Sequence, residues 1–320
     1  MKLWHAPARA LPVTVRPAGG ETVVSYARRL SAANDLPPTT ILRALGQLAG
    51  SGSGNHLLIC DARLNEQAAG RLEACTGIPR TRLSRALPAL RGQLDPGQSL
   101  PPDRPALRFH RVHPRPACRQ CELAASGPSG PSVLLLPGWA PLACRRHRRW
   151  LGPAFETSQH DLSAARDILT AHRRLAGLLA RGDDRAWAYG EFLTAWNMAQ
   201  DWTRCEPRRM PVFSQRWRDR AAALGITTTG KQPPRVVIFP EAVTLAAILT
   251  DLNWRRNVAL DWDDRPFYQR IAESIGERSY PRWALANDPV RWWIRYHRAR
   301  FGQLRYRPWD KPPPENRHFK

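Results

Sequence analysis

Cys118-Arg-Gln-Cys121 and Cys144-Arg-Arg-His147 are two pairs of metal-ligand residues, each with two residues between its members. Zinc prefers thiolate and imidazole ligands in a closed tetrahedron, and a Cys-x2-Cys turn offers two sulfur atoms from one short piece of chain. The second pair completes the shell, so the spacing predicts one structural Zn²⁺ with these four residues as ligands. Glu122 is the one nearby carboxylate in the sequence, which favours a closed structural site over a catalytic one.

The residues between the two pairs predict a short β hairpin. Residues 126–131 are rich in glycine and proline and predict a turn, and residues 132–136 predict a strand. Pro137 and Gly138 then predict a second turn that returns the chain to the metal. We assign residues 101–155 to a small zinc-binding module, with His110 and His113 left as alternative ligands.

Residues 1–100 predict an N-terminal domain of paired helices. Apolar residues recur at helical spacing from residue 21 to residue 33, and Pro37 and Pro38 end that pattern. Thr39 or Thr40 then caps a second helix whose apolar residues continue as far as Leu48. Residues 50–54 are glycine and serine and predict a flexible link.

The pattern of this helix pair returns further along the chain. Residues of the first pair, among them Leu30 and Pro37, are matched by residues 42 positions later, at Leu72 and Pro79. Both segments predict a helix, a proline-containing turn and a second helix, which is a duplicated helix-turn-helix-like arrangement. Two hairpins that merely pack in a helical core remain the alternative.

Basic residues lie where such a domain would meet DNA. We predict DNA contacts from one residue of the first pair, from three at the start of the last helix of the second pair, and from four around the last zinc ligand. The metal would hold the last four as a rigid cationic ridge, whereas a solvated charge run is the alternative. These predicted residues are Arg43, then Arg80, Arg82 and Arg85, then Arg145, Arg146, Arg148 and Arg149.

Residues 156–320 predict a C-terminal helical domain with a basic tail. Helical patterns cover residues 161–182, 185–201 and 289–301 and the region around Trp217, and residues 305–320 are basic and rich in proline. Residues 235–239 predict a short strand, with Pro240 opening another helix. Most of the 13 tryptophans lie in this half, where they predict core packing or, alternatively, stacking on bases or a partner protein. The predicted fold class is mainly α.

Composition indicates a polyanionic partner. The 320 residues carry 49 Lys+Arg against 27 Asp+Glu, a formal net charge of +22 that is nearly all arginine. The planar guanidinium suits phosphates and guanine edges, although a compositional bias toward arginine, alanine and proline is the alternative. No run approaches the roughly 18 apolar residues of a membrane span, and no apolar leader follows Met1. Six cysteines without a disulfide pattern predict a reducing, cytoplasmic setting.

Two patterns that would indicate catalysis are incomplete. Residues 225–231 match most of a phosphate-binding loop, but Gln232 stands where Ser or Thr should hold magnesium, and two prolines exclude the helix that should follow. Asp261, Asp263 and Asp264 raise a two-metal nuclease hypothesis, yet they have no His or Lys partner, and surface acids or a helix cap are favoured. We therefore predict a binding protein and no enzymatic activity.

Two stretches carry distinctive patterns. The first runs from Pro17 to Asn34 and continues through Leu36-Pro-Pro-Thr39, with the pattern Pro-x-x-x-Glu-x-x-x-Ser-aromatic. The second is the zinc segment, in which Gly138-Trp139 lies between the two ligand pairs. Both stretches resemble the TniQ/TnsD family, the target-selection proteins of heteromeric DNA transposons. The resemblance covers about residues 12–155; Arg119 departs from the proline and Glu122 from the leucine that the family commonly has.

The resemblance implies a non-catalytic, zinc-containing adaptor that binds double-stranded DNA and selects the target site for DNA transposition. It also implies a protein partner, the AAA+ ATPase regulator that recruits the transposase. A stand-alone helix-turn-helix transcription regulator with a zinc site is the alternative, and a nuclease or recombinase subunit is a third hypothesis. No membrane partner is expected, and self-association into a homo-oligomer stays open.

Overall fold

The computed structural model describes residues 3–49, 58–91, 100, 104–136, 141–153, 159–181, 185–204, 207–227, 233–261, 263–280 and 288–300. The predicted link at 50–54, the turn at Pro137 and Gly138, and the basic tail at 305–320 lie outside these residues. The chain forms two compact units, Met1–His160 and Asp161–Lys320. Our boundary after residue 155 falls close to their division, and our boundary after residue 100 falls inside the first unit.

The described part of the first unit contains short helices and short strands. The elements are α1 (Val23–Ala33), α2 (Thr40–Leu45), β1 (Gln47–Ala49), β2 (Cys60–Leu64), α3 (Glu66–Thr76), α4 (Arg80–Ala86), β3 (Ala106–Arg111), β4 (Arg115–Pro116), α5 (Arg119–Ser126), β5 (Leu134–Leu135), β6 (Ala143–Cys144) and β7 (Arg149–Trp150). The strands form a three-stranded sheet in the order β1-β3-β2 and two pairs, β4 with β5 and β6 with β7.

The described part of the second unit is helical. The prediction of a mainly α fold is therefore confirmed at the level of the fold class. The helices are α6 (Arg166–Arg181), α7 (Arg185–Trp202), α8 (Pro211–Ala223), α9 (Arg235–Leu249), α10 (Leu252–Leu260), α11 (Arg265–Ile275) and α12 (Pro289–Arg300).

The start of α1 is anchored by two polar side chains. The Thr22 Oγ1 atom accepts the N–H of Ser25 at 3.1 Å and caps the first turn. The Asp61 Oδ1 atom, from β2, accepts the N–H of Val23 at 2.8 Å. Because Asp61 is fully buried, this bond ties the sheet to the helix end. The helix that we predict from residue 21 is confirmed as α1.

Each of the two helix pairs turns through a residue in the left-handed region. Asp35 follows α1 with φ +53°, and Gly77 follows α3 with φ +64°. These two positions are 42 residues apart, the same offset as the sequence pattern. Pro79 then precedes α4, whose Leu83 is buried in the same core cluster as Leu30 of α1.

The second helix is shorter than we predict, and Leu48 lies in β1 instead. The reason lies at Gly46, where an added Cβ atom would come within 2.5 Å of the carbonyl carbon of Pro105. The chain leaves α2 at this close approach and pairs with β3 in parallel, with Leu48 opposite Leu107. No sequence pattern near residue 48 indicates that this segment pairs with β3, which lies far along the chain.

A buried ion pair ties α1 to the segment that carries α5. The Arg29 Nη1 atom donates to Glu21 Oε2 at 2.8 Å, and the side chains are 3% and 0% exposed. The same guanidinium donates to the carbonyl of Ala125 and to the Ser126 hydroxyl, at the end of α5. Removing one partner from such a pair leaves an uncompensated buried charge. The pair therefore fixes the first unit internally.

The prediction of a strand at residues 235–239 is wrong. These residues form the first turns of α9, and Pro240 lies inside the same helix. A continuous apolar run does not distinguish a buried helix from a buried strand by its period. Val236–Phe239 are all buried, and Phe239 packs edge to face on Phe192 of α7. Beside the proline, Arg220 of α8 donates to the carbonyl of Val237 at 2.7 Å.

The tryptophans with the lowest exposure in the second unit are core residues. Trp196 is 0% exposed, Trp202 is 1% exposed and Trp293 is 5% exposed. The Trp202 indole donates to the Tyr280 hydroxyl at 3.0 Å, so its one polar atom is satisfied inside the core. Core packing, the first of our two interpretations, therefore holds for these three residues.

No described helix is by itself long and apolar enough to cross a membrane. Taken together, α9 and α10 are long and apolar enough for a membrane span, but the two helix axes are bent by 66° relative to each other. Asp251 lies at this bend and caps α10 by accepting the N–H of Asn253 at 2.8 Å.

The buried carboxyl of Asp61 makes stability depend on pH. Burial raises the pKa of Asp61 from 3.8 to about 6, although backbone N–H groups that bond the carboxylate lower it. The folded protein thus binds this proton more tightly than the unfolded chain does. The contribution of the protonated carboxyl to the free energy of unfolding is complete below pH about 4 and is lost as the pH rises through about 6. From pH about 4 to about 7, the free energy of unfolding of Asp61→Asn should rise by about 1–3 kcal/mol relative to that of wild type. Urea unfolding of both proteins across this range measures the difference, and a constant difference would contradict the assignment.

Candidate metal centre

The two halves of the predicted ligand set come from two different local structures. Cys118 is the N-terminal cap of α5, and Cys121 lies in its first turn. The free N–H groups and the dipole of a helix start favour thiolate anions. Cys144 ends β6, and His147 lies in the turn before β7, which Arg148 closes with φ +48°.

The four donor atoms converge on one point and all lie within 4.8 Å of one another. The His147 Nδ1 atom lies 3.4 Å from Cys118 Sγ, 3.3 Å from Cys121 Sγ and 3.6 Å from Cys144 Sγ. The Sγ atoms of Cys121 and Cys144 are 3.7 Å apart. A tetrahedral ion with bonds of about 2.3 Å to sulfur and about 2.0–2.1 Å to nitrogen separates its ligand atoms by roughly 3.5–3.8 Å. The group can therefore hold one metal ion.

The protonation of the thiols depends on whether a metal ion is bound. Without an ion, burial, together with the neighbouring thiols of Cys144 and Cys118, raises the pKa of Cys121 to about 12. These cysteines are free and form no disulfide. A thiol that coordinates a divalent ion loses its proton, because the charge of the ion stabilises the thiolate. The three thiols are therefore available as metal ligands.

Supporting contacts hold the ligand segments in place. Leu151 belongs to the same buried cluster as Cys118 and Cys144, and its N–H donates to the carbonyl of Leu142 at 2.8 Å. Gln159 brackets Cys118, because its side-chain oxygen accepts the N–H of Arg119 at 3.0 Å and its Nε2 donates to the carbonyl of Ala117 at 2.9 Å. Sequence reasoning misses Gln159, since no ligand spacing points to it.

The alternative ligands do not join the group. His110 lies in β3 opposite Asp61 of β2, and His113 is exposed after the end of that strand. Glu122 follows Cys121 in α5 but does not belong to the cluster. Among the residues that the structure describes, the cluster of ligand atoms consists of the four predicted residues.

Arginines surround the last ligand. Arg145, Arg146 and Arg148 are exposed, whereas Arg149 is half-buried in β7. The turn that carries them has Cys144 at its start and His147 within it. We call Arg145, Arg146 and Arg148 the turn arginines. Their backbone positions are set by the same turn that presents two of the metal ligands.

The arginines predicted on the helix pairs differ in their surroundings. Arg43 on α2 and Arg82 and Arg85 on α4 are exposed. Arg80 forms an ion pair with Glu66 of α3 at 2.9 Å, and its guanidinium side chain is 28% exposed. Arg82 and Arg85, three residues apart on one helix, therefore offer the less compensated positive charge on α4.

A further basic residue belongs beside these two. The Arg91 guanidinium donates to the carbonyls of Ser84 and Arg85, which lie in the last turn of α4. A cation is favourable at this helix end, where carbonyl groups lack amide partners. Arg91 adds charge next to Arg85, and the sequence carries no local signal for this placement.

The acidic cluster at residues 261–264 faces arginines. Asp263 forms an ion pair with Arg265 at 2.8 Å, and Asp264 forms one with Arg298 of α12. Asp261 is the C-terminal cap of α10. These partners favour our interpretation as structural acids over the nuclease hypothesis.

Comparisons with protein-family models, with curated proteins and with solved structures find no match for this chain.

Substitution of one ligand tests the metal centre. We expect the wild-type protein to retain one metal ion per chain and Cys121→Ala to lose it. The free energy of unfolding should fall by at least about 3 kcal/mol, because metal binding at structural sites contributes to folding. Native mass spectrometry and thermal unfolding measure the two effects.

Cys60→Ala is the matched control, since Cys60 lies in β2 outside the cluster. It should keep the ion and most of the stability. Wild-type protein that is metal-free after purification in zinc-containing buffer, with unchanged stability in chelator, would refute the site.

Proposed function

We propose that this chain is a non-catalytic, zinc-containing DNA-binding adaptor that selects the target site for DNA transposition and recruits an AAA+ ATPase regulator of a transposase. The observation that carries the proposal is the Cys3His cluster with three exposed arginines on the ligand turn itself.

Zinc is the ion that fits the donor set. Three soft thiolates and one imidazole at tetrahedral separations are typical of structural Zn²⁺, and hard-oxygen ions such as Mg²⁺ or Ca²⁺ prefer carboxylates. Four protein ligands fill a tetrahedron and leave no position for a reactive water. The ion would therefore join α5 to the β6–β7 hairpin and would do no chemistry.

The zinc would give the turn arginines a fixed geometry. Residues that neutralise phosphates release counterions, and this supplies most of the sequence-independent affinity for DNA. A cation held on a rigid turn loses less conformational freedom on binding than one on a loose loop. The proposal assigns Arg145, Arg146 and Arg148 to phosphate contacts, with Arg149 on the flank of the same hairpin.

The two helix pairs support a second set of contacts. Each pair has the order helix, turn with a left-handed residue, helix, and the left-handed residues are 42 positions apart. In a helix-turn-helix unit, the second helix enters the major groove and its first turns meet the bases. By this assignment α4 is the reading helix, with Arg82 and Arg85 toward DNA, Arg80 partly neutralised by Glu66, and Arg43 as the counterpart on α2.

The role in transposition rests on the resemblance of about residues 12–155 to the TniQ/TnsD family. The carboxylates paired with Arg265 and Arg298 agree with a protein that leaves strand transfer to another subunit. A stand-alone transcription regulator would use the same DNA contacts, so recruitment of an ATPase is the property that distinguishes the two.

The DNA contacts are tested by two double variants. Arg82→Ala/Arg85→Ala and Arg145→Ala/Arg146→Ala should each weaken binding to duplex DNA. Each should also flatten the slope of log K against log salt concentration by about 2, since each removes two phosphate contacts. Fluorescence anisotropy at several salt concentrations measures both quantities. Arg256→Ala is the matched control, because Arg256 is an exposed arginine on α10. If both double variants keep the wild-type affinity and slope, the DNA contacts are not at these residues.

Recruitment is tested with an AAA+ ATPase regulator of a heteromeric DNA transposon. On a labelled target duplex with ATP, we expect the ATPase to assemble only when this chain is present. A stand-alone regulator would instead bind one operator with a dissociation constant of about 10⁻⁸ M or lower and would leave ATPase assembly unchanged. That second result would replace the adaptor by the regulator.

A further inference from the structure

A groove between α6 and α9 in the second unit has the size of a binding site. Its volume is about 560 Å³, inside the range of about 300–1,000 Å³ that is common for ligand pockets. Thr170, Gly177 and Arg181 line it from α6, and Val243 and Ala247 line it from α9. Neither the metal cluster nor the predicted DNA contacts belong to it.

The rim of the groove is cationic. Arg173, Arg174 and Arg181 are exposed along one face of α6, and no ion pair joins them to an acid in the described part of the chain. The described residues of the lining include no carboxylate. The helix dipole favours cations in the last turn, where Arg181 lies, but Arg173 and Arg174 lie in the middle of the helix. Three arginines without counter-charges favour an anionic occupant.

The floor of the groove is apolar. Leu178, Val243 and Ala247 form it, and Gly177 leaves a notch between them and the rim. A Cβ atom added at Gly177 would meet nothing within 4 Å, so the space above this residue is open. Phosphates gain nothing from such a floor, whereas an apolar side chain buried there gains about 25 cal/mol for each Å² removed from water.

The adjoining cavity has a different character. It shares Arg174 with the groove, but Arg220 there is neutralised by Glu241 at 2.7 Å and by Asp167 at 2.5 Å. In the groove, by contrast, the three arginines lie beside an apolar floor and have no ion pair with an acid in the described part of the chain. This coincidence points to an occupant that is acidic and apolar at once.

We propose that the groove between α6 and α9 binds an acidic, amphipathic helical segment of a partner protein. The face from Thr170 to Arg181 extends for about 17 Å, or about three helical turns. Apolar side chains of the segment enter at Gly177 and Leu178, and its carboxylates face the arginine rim, as in helix-in-groove recognition. The site goes beyond the proposed DNA function, because it requires neither the metal nor any DNA contact.

The test uses the full chain and a fluorescein-labelled helical peptide of about 14 residues, with Leu at helical spacing and Glu elsewhere. We expect Arg174→Glu/Arg181→Glu to weaken peptide binding about tenfold or more, since both charges would then repel the ligand. Gly177→Leu should weaken it to a similar degree by filling the notch. Arg256→Glu/Arg270→Glu, at exposed arginines of α10 and α11, is the matched control because it also reverses two charges, and it should bind as wild type does.

Gly177→Ala separates blocking from misfolding. It raises helix propensity and adds one methyl group, so it should keep peptide binding and should not lower the thermal midpoint. Gly177→Leu should also stay folded by circular dichroism, and all groove variants should keep wild-type affinity for duplex DNA.

Three outcomes would overturn the proposal. They are absence of peptide binding to wild type, equal binding to the groove variants, and equal binding of an isomeric peptide whose Leu and Glu are scrambled. A fourth outcome, in which duplex DNA displaces the peptide and loses affinity for the same variants, would assign the groove to nucleic acid instead. Loss of DNA binding in the α4 and turn variants leaves this test unaffected, so the two proposals fail separately.

Discussion

Three thiols and one imidazole within 4.8 Å of one another give the module between β4 and β7 a group that can hold one metal ion. The strands of this module are two residues long, and its two apolar clusters each contain three buried residues. Such short strand pairs have little stability of their own, and small cores need a metal or disulfides. The large apolar cluster of the first unit instead belongs to α1–α4 and the three-stranded sheet. A metal ion bound by the four ligands would therefore add cohesion that the small core of the module does not supply.

Buried arginines change what the net charge means. Arg29 in the first unit is paired with Glu21, whose side chain is 0% exposed. Arg220 in the second unit is paired with Glu241, whose side chain is 4% exposed. Ion pairs of this kind are costly to desolvate and costly to break, so they act as geometric constraints more than as sources of stability. The formal charge of +22 thus overstates the number of arginines available to a partner. The positive charge available to a partner is that of exposed arginines, among them those of the ligand turn, α4 and α6.

Features coded by neighbouring residues could be predicted from the sequence. The ligand pairs, the starts of α1 and α7, and the turns at Asp35 and Gly77 all follow from caps, prolines and spacing within a few residues. The sheet could not be predicted, because β1 pairs with β3 through Gln47 and Ala106, which lie far apart in sequence. α9 failed for a different reason: burial on every side erases the period that marks a helix. In the metal centre, the ligands were accessible to spacing rules, while Gln159 acts through a tertiary contact that such rules do not see.

Positive charge alone does not distinguish DNA from an acidic protein, so the apolar surroundings of each arginine matter. The turn arginines and the exposed pair on α4 carry their charge on short polar elements, which suits the evenly charged backbone of a duplex. The arginines of α6 instead border Leu178 and Val243. An apolar floor of this kind adds binding free energy only for a ligand that has apolar side chains of its own. The two proposals therefore assign chemically different anionic ligands to different surfaces, one in each unit. Under these proposals, a nucleic acid and a protein would not compete for one surface.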